Sequence, residues 1–101
     1  MTQDASITRY AALVELTDST VQNVQEMASV WGDIRQEFDD IGASIVESYA
    51  VRGRVDFLVV FEGPDSETAF QADVVLERHG LSVETMELAD TEEFAALVSD
   101  L

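Results

Sequence analysis

The chain has 101 residues, of which 47% are apolar; this suits a single domain (1–101, with a polar tail over 1–7) and is too apolar for a disordered acidic tail. No cysteine and a single histidine are present, which excludes disulfide staples, thiol catalysis and multi-histidine metal sites, and neither a metal nor a cofactor is expected. Twenty-one acids against five bases give a formal net charge of −16, which repels phosphate backbones and anionic lipid and argues against nucleic acid and membrane as partners.

In chain order, residues 8–16 alternate as a strand, with Tyr10, Ala12, Val14 and Leu16 on one face and Arg9, Ala11, Leu13 and Glu15 on the other. Thr17, Asp18 and Ser19 offer N-cap side chains. Val24, Met27, Trp31, Ile34, Phe38 and Ile41 recur three and four apart, the apolar stripe of a long helix ended by Gly42. Residues 43–51 read as a second strand and 55–62 as a third, joined by the short loop Arg52-Gly53-Arg54. Gly63-Pro64-Asp65-Ser66 breaks the third strand and caps a second helix over 66–78, closed by His79-Gly80. Residues 81–88 form a fourth strand. Asp90, with Glu93 three residues on, resembles a capping box and opens a short helix containing Phe94, Leu97 and Val98.

The order βαββαβ with a terminal helix predicts an α+β, ferredoxin-like fold: a four-stranded antiparallel sheet with both long helices on one face. The opposite face carries Ala11, Leu13, Leu58 and Val60 from the two central strands, so both faces are substantially apolar, the mark of a sheet covered on both sides. A second copy packed sheet against sheet is the simplest cover, which makes a homodimer the expected assembly. No segment reaches the roughly 18 apolar residues of a membrane helix, residues 1–6 carry no signal-peptide pattern, and a cytoplasmic location is expected.

The segment Gly53-Arg54-Val55-Asp56-Phe57-Leu58-Val59-Val60, followed by Glu62-Gly63-Pro64-Asp65, resembles the motif region of the GYD domain family. Tyr10 to Leu16 with Thr17-Asp18 is similar to that family's opening strand, and Thr85, Ala89 and Glu93-Phe94 to its closing segment. The resemblance covers about residues 8–98. It implies a dimeric α+β-barrel architecture and brings little chemistry, since the family is largely uncharacterised. Val55 stands where the family pattern has its eponymous tyrosine, so any role of that hydroxyl is lost here.

Among the residues themselves, Asp56 shares its alternation with Leu58, Val60 and Glu62. A carboxylate there suits a general base if burial raises its pKa; at the start of a strand it equally suits pairing with Arg54, Arg52 or hairpin amides. Arg9, Glu15, Glu47 and Glu62 fall on the same sheet face or its rim, a polar lining around an apolar centre that fits either a small-molecule cavity or intersubunit ion pairs. Candidate ligand-binding residues are Arg9, Tyr49, Arg52, Gly53, Arg54 and Asp56, and Asp56 is the one catalytic candidate. Trp31 and Phe38 read as core, and His79 as a helix-terminal residue. Two functions follow: a homo-oligomeric module that binds a small ligand or regulates metabolism, or a cofactor-independent isomerase or monooxygenase acting on a small organic molecule in the dimer cavity. An Asp56 locked in a hairpin ion pair favours the first, a buried one facing an enclosed cavity the second.

The acids are spread along the chain among apolar residues, the pattern of a solvated face rather than of a tail. All five bases are arginine (Arg9, Arg35, Arg52, Arg54, Arg78) and lysine is absent. Such a surface resembles that of proteins from salt-loving organisms, where molar salt shortens the Debye length to about 3 Å and screens the self-repulsion.

Overall fold

In the computed structural model, residues 7–17, 24–99 and 101 are described; the tail 1–6, the cap candidates Asp18 and Ser19 and the side chain of Val24 lie outside them. Seven elements follow one another: β1 (Thr8–Leu16), α1 (Val24–Asp40), β2 (Ser44–Ala50), β3 (Phe57–Gly63), α2 (Ser66–Arg78), β4 (Leu81–Leu88) and α3 (Thr91–Val98). The strands form one antiparallel sheet in the order β2-β3-β1-β4, the ferredoxin-like arrangement with β1 and β3 at its centre. In β2 the register against β3 shifts between Ile45 and Glu47, a bulge at Val46.

Both long helices bury their stripes on one face of the sheet. Ile34 and Phe38 of α1 and Ala72, Val75 and Leu76 of α2 meet Tyr10, Ala12 and Val14 of β1 and Val59 and Phe61 of β3. Phe61 is the hub: its ring stacks on Tyr10 and meets Phe38 edge-on, each at 5.3 Å between centroids. Trp31 lies edge-on to Phe57 at 5.2 Å, so Trp31 and Phe38 belong to the core and its margin. The chain turns out of α1 through Gly42 (φ 87°), where a left-handed residue lets the amide of Ala43 reach back to the carbonyl of Phe38 at 2.9 Å. Helix α2 starts under the Asp65 cap, whose carboxylate accepts from the backbone amide and the hydroxyl of Thr68, both at 2.9 Å.

The connection between β2 and β3 is longer than the three-residue loop expected from the sequence. The strands stop at Ala50 and resume at Phe57, and the connection is bonded both within itself, the Val51 amide donating to the carbonyl of Asp56 (2.8 Å), and to the end of β1. The Asp56 amide donates to the carbonyl of Val14 (2.9 Å), and the Asp56 carboxylate accepts from the amide of Leu16 (2.8 Å).

Helix α3 stands apart. Asp90 and Glu93 form a full capping box at its start, yet none of its residues is buried and, among the described residues, it packs extensively against no other element. The Cα radius of gyration is 15.0 Å, above the roughly 13 Å of a compact chain of this length. Among the described residues, no helix is long and apolar enough to cross a membrane.

Candidate functional site: the uncovered face of the sheet

With both long helices on one side, the pairing register defines what the other side presents. Ala11 lies between Val60 and Met86, Leu13 between Leu58 and Glu84, and Arg9 between Glu62 and Leu88; from β2, Glu47 pairs with Val60 and Tyr49 with Leu58. The result is an apolar centre of Ala11, Leu13, Leu58, Val60 and Met86 between two charged ends. Ala11 and Val60 are buried, whereas Tyr49, Met86 and Leu88 stand open to solvent.

At one end, Arg9 Nη2 and Nε both donate to Oε2 of Glu62, at 2.7 and 3.1 Å. Glu62 holds the guanidinium above its ordinary pKa, first through the hydrogen bond and then through its charge; Glu47 and Asp90 add to the same effect. Tyr49 lies further along the face, opposite Leu58 in the row of Leu13 and Glu84. The charge of Glu47 pushes its phenol up, with burial and a hydrogen bond to the same carboxylate adding less, so the hydroxyl stays protonated and able to donate at neutral pH.

At the other end lies a polar cleft of about 140 Å³ lined by Leu13, Glu15, Arg54, Val55, Ser82, Val83 and Glu84. Arg54 is the cation of this cleft. Neither Arg54 nor Arg52 forms an ion pair among the described residues, so both guanidinium groups keep their donors for water or a ligand. Gly53 sits between them in open space, a Cβ there meeting only Val51 Cγ1 at 4.0 Å. Asp56 does not join them: its carboxylate is tied to the backbone of β1. The structure thus gathers Arg9, Glu62 and Glu47 toward one end, places Tyr49, Glu15 and Arg54 toward the other, and leaves Asp56 in an anchoring position.

A further cleft, of about 190 Å³, opens between α1 and β2, lined by Trp31, Arg35, Ser48, Tyr49, Ala50 and Phe57. Arg35 Nη2 donates to the Ser48 hydroxyl at 3.0 Å. Sequence reasoning passed over this pairing; its one local signal is that Arg35 follows Trp31 by four residues and shares its helix face. The imidazole of His79 closes α2 with Nε2 at 3.1 Å from Glu37 Oε1, beside Arg78. Among the described residues no cluster of acids or histidine is arranged to hold a metal ion.

The GYD domain model matches residues 10–98. The chain belongs to the GYD domain family. Within this GYD domain, Val55, at the position of the family's tyrosine, is a buried side chain in the wall of the polar cleft. The fold is also similar to the crystal structure of MtbAldR, at a TM-score of 0.64 and 18% identity, over 81% of this chain and 51% of that one. The GYD chain therefore spans about half the length of MtbAldR, and the likeness is one of fold. No curated protein matches it in sequence.

Proposed function

We propose that this GYD domain is a homodimeric, non-catalytic module that binds a small organic ligand or regulates metabolism in a salt-rich cytoplasm, its uncovered sheet face closing against that of a second copy. The observation that supports this reading is the face itself: an apolar centre on β1, β3 and β4, bounded by the Arg9–Glu62 pair at one end and the Arg54 cleft at the other. Dimerisation of such a face buries the centre and leaves the two charged ends to line a cavity, with the donors of Arg54 and Arg52 suited to a carboxylate. The bond from Leu16 to Asp56 favours the binding module over an enzyme that would need that carboxylate as a free base.

Light scattering at molar salt tests the assembly. The expected mass is that of a dimer, and Leu58→Glu should give a monomer, because it places an unpaired charge in a desolvated contact. A wild-type monomer throughout the micromolar range rejects the reading. Screening small aromatic and carboxylate metabolites by thermal shift then addresses the ligand, and a hit should be lost in an Arg54→Gln variant.

A further inference from the structure

Isolated helices shorter than about 12–15 residues are marginal in water, because nucleation fixes several residues for the first hydrogen bond. Helix α3 has 8 residues and none of them is buried. Its capping box satisfies amides at its start, but Phe94, Leu97 and Val98 remain 59%, 66% and 39% exposed. Spaced three and four apart, these side chains share one face, and Glu92 and Glu93 stand in the first turn. An amphipathic helix with a built cap and no cover is a half-made contact.

Three observations point to a second copy as the cover. The first is continuity. Only Ala89 and Asp90 separate α3 from β4, whose Met86 and Leu88, both on the uncovered face, are 41% and 38% exposed; the apolar surface thus runs from the sheet centre toward the helix. The second is placement: Asp90 acts electrostatically on Arg9, so α3 begins at the charged end of that same face. The third is area. Four strands of this length present a footprint of roughly 500 Å², short of the about 800 Å² per partner of a stable specific interface. The exposed side chains of Phe94, Leu97 and Val98 would add apolar area to that face.

We propose that α3 is a clasp: in the dimer its Phe94, Leu97 and Val98 face lies on the partner subunit and completes the interface. Twofold symmetry makes the contact twice. The proposal rests on the sheet-to-sheet reading above, and its test separates the two. Amide hydrogen exchange is measured at Phe94 and Ser99, whose amides bond to the carbonyls of Asp90 and Ala95 at 2.9 and 3.1 Å. Wild type is compared with Leu58→Glu and with Phe94→Glu/Leu97→Glu, at molar salt, alongside light scattering over a dilution series.

The expected result is protection of both amides in the wild-type dimer. Protection should fall at least tenfold on dilution to monomer or in Leu58→Glu, while amides of β1 and α2 stay protected. In Phe94→Glu/Leu97→Glu the dimer dissociation constant should rise at least tenfold with the sheet amides unchanged. A wild-type dimer whose α3 exchanges like an unstructured peptide overturns the clasp and leaves the sheet reading standing. So does a double variant that dimerises as tightly as wild type, or an α3 that stays protected in the diluted monomer, which would place it on its own subunit. A wild type that never dimerises overturns both, and light scattering alone reports that.

Discussion

Asp56 illustrates how position decides the use of a carboxylate. Its side chain reaches across to β1 and accepts the amide of Leu16, a residue 40 positions earlier, while its own amide donates to Val14. Both ends of the residue tie the β2–β3 connection to the sheet. Asp56→Ala should cost about 1–2 kcal/mol of stability in chemical denaturation, since it removes a charged acceptor from a part-buried amide. Asp56→Asn, which keeps an acceptor oxygen, should cost less; equal losses would show that the charge rather than the hydrogen bond matters. Gly63 is constrained differently. A Cβ there would lie 2.9 Å from Thr68 Cγ2, and Thr68 is itself buried and held by Asp65. Gly63→Ala should therefore destabilise by about 1–3 kcal/mol through overpacking. A melting temperature equal to wild type would mean that the start of α2 yields to the methyl group.

At the scale of elements, the start of α2 carries a pH signature. Hydrogen bonds from the Thr68 amide first, and then from its hydroxyl, hold the Asp65 carboxyl below the ordinary aspartate range. A pKa depressed by folding gives stability that is fully present above the unfolded value and is lost as pH falls through the folded one. Asp65→Asn keeps an acceptor without the titration, so the acid side of its stability curve, followed by circular dichroism below about pH 4, should be shallower than wild type. An unchanged slope would assign acid unfolding to other carboxylates. The elements themselves were largely legible: β1 and β4 fall where strict alternation placed them, and α2 runs over 66–78 between a capping aspartate and a left-handed glycine at Gly80 (φ 83°). The β2–β3 loop was not, because the bonds that hold Asp56 include ones from β1, far away in sequence. Nor was the isolation of α3, since a packed helix and an unpacked one share the same apolar spacing. The Trp31–Arg35 cleft exists only once β2 brings Ser48 alongside α1, so the site was readable as a sheet face but not as clefts.

Across the whole molecule, charge outweighs every local pairing. Twenty-one acids face five arginines, and the described arginine–acid pairs, Arg9–Glu62 and Arg78–Glu37 at 2.7 and 3.4 Å, are on the surface. Surface pairs contribute little, so on the salt-adapted reading proposed above the repulsion among the remaining carboxylates is screened by the solvent. The Debye length falls from about 10 Å at 0.1 M to about 3 Å at 1 M salt, and excluded salt also strengthens apolar burial. The thermal midpoint should rise steeply between about 0.1 M and about 2 M KCl. At low salt, lowering the pH to about 4–5 should substitute in part by protonating carboxylates. A midpoint flat across the salt series would mean that the acids are compensated locally and would remove the salt-adapted reading.

The irregularity at Val46 has a bearing on growth. A sheet ends in unpaired amides and carbonyls, and a straight outer strand invites another chain to continue the ladder without limit. β2 is one of the two outer strands, and its bulge between Ile45 and Glu47 locally disrupts the ladder and bends the edge that an incoming strand would have to follow. With charge repelling and the edge distorted, stacking strand on strand into fibres is disfavoured, whereas copies that meet by their faces would form an assembly that closes at a finite size.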